Sequence, residues 1–338
     1  MNDMASGRPV RVADERAFAT HDGVELFYRH WPAVGRARGA IVLFHRGHEH
    51  SGRIAHLVDE LALPEFAFFA YDARGHGRSP GERGASPSFM TSVRDVQSFV
   101  DHLAAAHGIA VEDVAVVAQS VGAVAAATWV HDYAPPLRAM VLASPAFRVK
   151  LYVPLALPGL RAWRALRGER AFVTSYVKAR FLTRDPARIA SYDADPLISK
   201  RISVNVLLGL QEAADRVVED AAAIIVPTQL LVSGADWVVH HAPQHAFFDG
   251  LGATVKERHV LHGFLHDTLG ERDRAKAVDL VRDFVLRAFE TAPAAPDLDA
   301  DRRGPTREEA DALAAPLSWH SPRAWYWAAT RAGLRLGA

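Results

Sequence analysis

The chain has 338 residues, 49% of them hydrophobic and 23% charged, which is the composition of a globular protein with ample material for a core. Lysine plus arginine and aspartate plus glutamate stand at 39 each, so no overall field recruits nucleic acid or an anionic surface, and any such contact must be local. The absence of cysteine excludes disulfides, thiol nucleophiles and thiolate metal sites together. Residues 1–20 carry charges throughout and lack the apolar core of a signal peptide, and no apolar run approaches the roughly 20 residues that span a bilayer. A cytoplasmic protein is expected.

In chain order, residues 24–31 alternate at first and predict an early antiparallel strand, followed by a turn over 32–39. Residues 40–44 and 66–71 are short continuous apolar runs, the pattern of strands covered on both faces. Between Ser88 and His107, the residues Val93, Val96, Phe99, Val100 and Leu103 recur at helical spacing. A strand is expected from Val114, a helix through Val130 and another strand over 139–143. Residues 228–232 and 255–261 read as strands, and 271–289 as a helix with Ala277, Leu280, Val281, Phe284 and Val285 on one stripe. The alternation predicts an α/β class, a mostly parallel doubly wound sheet, and such sheets bind ligands outside the carboxyl ends of their strands.

Three of those strand ends carry chemistry. Val114-Ala-Val-Val-Ala-Gln-Ser-Val-Gly-Ala123 is an apolar strand that breaks at Ser120 and becomes a helix, the form of a nucleophile elbow. Small residues at Ala118 and Gly122 let that turn close, although alanine stands where glycine is usual. After strand 228–232 comes Ser233-Gly-Ala-Asp236, and after strand 255–261 comes His262-Gly-Phe-Leu-His266-Asp267. Serine, then aspartate, then histidine is the chain order of an α/β-hydrolase triad, in which the histidine takes the serine proton and the carboxylate fixes its tautomer. Ser120, Asp236 and His266 are the expected set. His262 competes with His266, His259 falls within a strand, and Asp267 and Asp249 compete as the acid.

An oxyanion hole needs two backbone amides. One is expected from Val121 and the other from Gly47, in the loop His45-Arg-Gly-His-Glu-His-Ser-Gly-Arg53 after strand 40–44. That loop, the segment Tyr71-Asp-Ala-Arg-Gly-His-Gly-Arg-Ser79, the elbow, Val232-Ser-Gly-Ala-Asp236 and the His266 segment together resemble the monoacylglycerol lipase and lysophospholipase branch of the α/β-hydrolases. The likeness runs over about residues 18–289. It implies an α/β-hydrolase fold and hydrolysis of an acyl ester, a monoacylglycerol or lysophospholipid, through an acyl-enzyme. Its nucleophile, acid and base map onto Ser120, Asp236 and His266, and its oxyanion donors onto Gly47 and Val121.

Where that family commonly has His-Gly-small-Gly, this chain has His45-Arg46-Gly47-His48, which sets a cation and an imidazole beside the expected donor as candidate substrate-binding residues. Arg46 either meets a phosphate or carboxylate of the substrate or pairs with an internal acid. His45, His48, Glu49 and His50 are metal-ligand types, but the other histidines form no second ligand motif, so neither metal nor cofactor is expected. Asp72, Arg74 and His76 lie in a glycine-rich turn and read as structural.

Residues 144–227 are too many for a plain connection, and 147–222 read as a helical lid inserted between core segments 1–146 and 223–290. The lid begins with an apolar run, 151–160, followed by Arg161, Arg164, Arg167 and Arg170; it suits an acyl chain, a peripheral membrane contact or packing onto the core. Residues 291–338 form a linker and a tail with a capping-box helix from Thr306 and a second helix carrying Trp325, Tyr326 and Trp327. Some relatives of the resembled branch run on into a methyltransferase domain, which suggests a methyltransferase partner. Two other classes remain open: a non-catalytic lipid-binding or scaffold protein, and a peptidase, which needs an acidic pocket for the substrate amine.

Overall fold

The computed structural model describes residues 11–291. The tail helices expected from Thr306 onward lie outside the described residues. The first half comprises β1 (Asp14–Ala19), β2 (Glu25–Trp31), β3 (Gly39–Phe44), α1 (Ser51–Ile54), α2 (Leu57–Glu60), β4 (Phe66–Tyr71), α3 (Phe89–His107), β5 (Val114–Gln119), α4 (Val121–Tyr133) and β6 (Ala139–Ala143). Then follow α5 (Ala156–Arg167), β7 (Phe172–Thr174), α6 (Pro186–Ala194), β8 (Arg201–Ser203), α7 (Val204–Glu219), β9 (Thr228–Ser233), α8 (His241–Gly250), β10 (Lys256–Leu261) and α9 (Ala275–Ala288).

Eight strands make one sheet in the order β1-β2-β4-β3-β5-β6-β9-β10; β2 runs antiparallel to both β1 and β4, and β4, β3, β5, β6, β9 and β10 run parallel. The parallel strands β3, β4, β5, β6 and β9 bury every residue because helices cover both faces. The period-two rule divides them: Val42, Phe69 and Val116 face α3, α4 and α7, whereas Ile41, Phe68 and Val117 face α2 and α9. At one edge, β10 carries Lys256, Glu257 and Arg258, charges that discourage pairing with another chain.

The expected strand over 24–31 is β2, and its neighbour β1 adds an element with little sequence signal, since Phe18 alone of its six residues is buried. Phe18 docks β1 against Phe99 of α3, with ring centroids 4.7 Å apart. α3 is capped by the Ser88 side chain, which accepts from the Thr91 amide, and it stops at Gly108 with φ 65°. The helix expected from 271 starts at Ala275 instead. Glu271 is buried and turned inward, where its carboxylate accepts from the amides of Leu265, Arg184 and Arg272.

Between β6 and β9 lie α5, α6, α7 and a two-stranded antiparallel ribbon of β7 and β8. This insertion is thus not wholly helical. It is pinned beside β3: Arg53 Nη1 donates to Ser191 Oγ at 2.8 Å, and His50 Nε2 lies 2.9 Å from Asp195 Oδ2.

Candidate active site

Ser120 ends β5 with φ 56° and ψ −117°, a backbone conformation costly for an L-residue and held here from three sides. Its amide donates to Ala143 O on β6, and its carbonyl accepts from Val124 and Ala146. The turn requires glycine two residues on, because a Cβ on Gly122 would stand 2.5 Å from His45 O. The chain therefore spends strain and contact at one point to expose a hydroxyl at the start of α4.

The loops after β9 and β10 bring the two partners. His266 Nε2 lies 2.7 Å from Ser120 Oγ, and His266 Nδ1 lies 2.7 Å from Asp236 Oδ2. Asp236 Oδ1 accepts from the amides of Val238 and Val239 at 2.7 and 3.1 Å. Burial pushes the Asp236 carboxyl up, but the facing His266 and the two amides outweigh it and hold the group below the usual carboxylate range. An ionised Asp236 can only accept, so Nδ1 carries the proton and Nε2 is free to take one from Ser120. The three side chains are all buried, whereas His262 is exposed, His259 faces Glu257 on β10, and Asp249 pairs with Arg258 on the surface.

Gly47 and Val121 face each other, since a Cβ on Gly47 would come 3.0 Å from Val121 Cγ2. Neither amide has an acceptor among the described residues. Two free N–H groups beside a nucleophile can take up charge on a carbonyl oxygen. The loop around Gly47 is braced from within. His45 Nε2 accepts from the Ala73 amide at 3.0 Å and its Nδ1 donates to Arg46 O at 2.7 Å, a neutral imidazole kept so by burial.

Arg46 is turned toward internal acids: Nε donates to Glu49 Oε2 at 2.9 Å and Nη2 lies 3.5 Å from Asp267 Oδ2. Its burial opposes the charge, but Asp267 and Glu49 outweigh that and keep the guanidinium charged. Asp267 is also gripped by Arg188 of α6, through Nε at 3.0 Å and Nη2 at 2.9 Å, and by Gln119 Nε2 at 3.1 Å. Burial raises its pKa; Arg46 and then Arg188 outweigh burial and hold the carboxyl well below the usual range. His48, at φ 70°, lines the cavity above Ser120, and burial lowers its pKa and favours the neutral ring. Glu49 and His50 point to Arg46 and Asp195, so the four ligand-type residues of this loop are drawn apart.

The turn after β4 is a scaffold. Asp72 accepts from the amides of Ser51 and Arg78 at 2.6 and 2.8 Å, and Arg74 donates to Asp95 at 2.6 and 2.8 Å. Above Ser120 a cavity of about 140 Å³ opens toward solvent, walled by Val149, Val173, Val177, Leu182, Ile202 and Leu210. Among the described residues no acidic side chain lines it.

The family model described as serine aminopeptidase, S33, matches residues 35–273, more than half the chain and all of the strand ends just described. The chain belongs to the serine aminopeptidase S33 family. It is an α/β-hydrolase. A methyltransferase family model matches residues 281–338. YnbC of Escherichia coli, an uncharacterized protein, is 57% identical to this S33 chain over 280 residues, 82% of this chain and 48% of its own length. The chain thus spans about half of that relative. A monoacylglycerol lipase of Mycolicibacterium smegmatis is 26% identical over 280 residues, covering 80% of this chain and 96% of that one. The crystal structure of a Paleococcus ferrophilus monoacylglycerol lipase superposes with TM-score 0.71 at 23% identity, over 78% of this chain and 99% of that one, a likeness of fold.

Sequence reasoning named Ser120, Asp236 and His266, which lie together. It passed over Gln119 and Arg188. Their signal was position alone: Gln119 precedes the elbow serine, and Arg188 lies within the insertion 147–222.

Proposed function

We propose that the protein is a serine ester hydrolase that cleaves the carboxylic ester of a lipid-like substrate, a monoacylglycerol or lysophospholipid, through an acyl-enzyme. The observation that carries this is the 2.7 Å contact of Ser120 Oγ with His266 Nε2 at the floor of an apolar cavity. In this reading Ser120 Oγ attacks the ester carbon as its proton passes to His266 Nε2, and Asp236 stabilises the imidazolium through Nδ1. The carbonyl oxygen turns toward the amides of Gly47 and Val121 as it gains charge. Collapse expels the alcohol, which takes the proton from His266; water then enters by the same route in reverse roles and releases the acid.

The cavity wall supports an acyl chain rather than a charged amine. An aminopeptidase must hold a substrate ammonium, and the cavity offers no carboxylate for it among the described residues. The named activity of the M. smegmatis relative points the same way. Residues 147–222 act as the lid over this cavity. α5 buries none of its residues and presents Trp163 and Leu166 beside Arg161, Arg164 and Arg167, which suits peripheral contact with an anionic membrane surface. The match of residues 281–338 supports a methyltransferase as the partner of the whole protein.

A fluorophosphonate probe tests the reading. It should label the wild type and leave Ser120→Ala unmarked, with turnover of long-chain monoacylglycerol lost in that variant. Labelling that persists in Ser120→Ala, or a wild type that neither labels nor turns over any acyl ester, removes it.

A further inference from the structure

Three chain segments that carry the expected chemistry meet at one buried carboxylate outside the triad. Asp267 directly follows His266; Gln119, which bonds to it, directly precedes Ser120; and Arg46, 3.5 Å away, directly precedes Gly47. The fourth member comes from the insertion, since Arg188 of α6 donates to Asp267 Oδ2 through Nε at 3.0 Å and holds Nη2 2.9 Å from the same oxygen. The Asp267 amide also donates to Leu182 O of the insertion at 2.6 Å, and Gln119 Nε2 donates to His266 O at 3.2 Å. Nothing in the triad chemistry uses these groups, yet Arg46, Glu49 and Asp267 are each at most 5% exposed.

Burying ions is costly unless each is paired, so removing one member of such a cluster leaves its partners as uncompensated buried charges. Its charges are Arg46, Arg53 and Arg188 against Glu49 and Asp267, with Arg53 Nε 3.6 Å from Glu49 Oε1. Loss of the Asp267 charge would leave three guanidinium groups facing one carboxylate. The readiest relief is movement of the segments that bear them, and one of these segments carries Gly47.

The geometry assigns Asp267 as a positioning residue that seats the oxyanion loop through Arg46 and ties it to the insertion through Arg188. The assignment rests on the hydrolase reading above. Asp267 touches neither Ser120 nor the cavity; it acts by fixing where Gly47 stands relative to Ser120 and by linking that placement to α6. A shift of the donor by about 1 Å costs on the order of 10²-fold in rate.

The full chain is assayed with 4-nitrophenyl butyrate and with a fluorophosphonate, alongside thermal unfolding, in Asp267→Asn, Arg46→Met, their double variant and Arg188→Lys. Asp267→Asn is expected to lose about 10²-fold in kcat with KM little changed, as a misplaced oxyanion donor requires. The double variant removes the unpaired cation along with the anion, and should recover at least part of that kcat. Arg188→Lys keeps the charge but not the paired contacts, and should lower kcat in a chain that melts like the wild type. It therefore decides the matter even if Asp267→Asn does not fold. Labelled, folded variants with wild-type kcat, or single losses that simply multiply in the double variant, overturn the assignment and leave the hydrolase reading intact. A wild type that does not label removes both.

Discussion

Gln119 Nε2 donates to Asp267 Oδ1 at 3.1 Å, so the chain neighbour of the candidate nucleophile is bonded to the chain neighbour of the candidate base. The same nitrogen reaches His266 O at 3.2 Å. Replacing Gln119 by Leu leaves a buried carboxylate and a buried carbonyl each short of one donor, which costs about 1–3 kcal/mol per group. Gln119→Leu should lower the urea midpoint and slow ester turnover together. Wild-type values of both would show that the bond carries no load.

Asp236→Asn should fold and yet lose about 10⁴-fold in kcat, because an amide facing Nδ1 no longer favours the tautomer that leaves Nε2 free. The comparison is steady-state turnover of an acyl ester at pH 7 to 8 against the wild type.

Strain at Ser120 offers a separate test. At φ 56° a side chain costs on the order of 1–3 kcal/mol that glycine does not incur. Both Ser120→Gly and Ser120→Ala should be inactive, and the glycine variant should unfold at the higher urea concentration despite its greater chain entropy. The reverse order would show that the elbow stores no strain.

Gly122→Ala would set a methyl 2.5 Å from His45 O. α4 must then back away from the end of β3, at a cost of about 1–3 kcal/mol for overpacking. Urea unfolding should show that loss, and fluorophosphonate labelling should slow because Val121 moves with the helix.

Acid should weaken the fold at a higher pH than the range in which Asp236 and Asp267 titrate. Burial and the neighbouring His45 depress His76 to about 3, and burial lowers His45 as well. A depressed histidine contributes stability that is complete above its unfolded value, about 6.5, and is lost as pH falls toward its folded value, because only the unfolded chain takes up the proton in between. Thermal midpoints should fall from about pH 6.5 downward, and His76→Gln should flatten that slope. Asp267 and Asp236 add a second loss of the same sign below about pH 4, since both are held under their ordinary value.

The strands of the sheet interior were legible because helices cover both of their faces: an unbroken apolar run such as Ala67-Phe-Phe-Ala70 has nowhere else to go. β1, β7 and β8 were not, for the opposite reason. Each is largely exposed or half-exposed, β7 and β8 are only three residues long, and in each case the partner strand, not the composition, makes it a strand. The separation of Glu271 from α9 likewise depends on three amides supplied by other segments.

Sequence by itself determined the order of the interior strands, and with it that Ser120, Asp236 and His266 each follow the carboxyl end of a strand, because parallel strands put those ends on one rim. Only tertiary structure decided which histidine faces the serine and which acid faces the histidine, since burial separates His266 from His262, and aim alone separates Asp236 from the equally buried Asp267. It also decided that Arg46 meets Glu49 and Asp267. The identity of a buried ion's partner is a matter of distance in space, and Asp267 and Arg188 lie far from Arg46 along the chain.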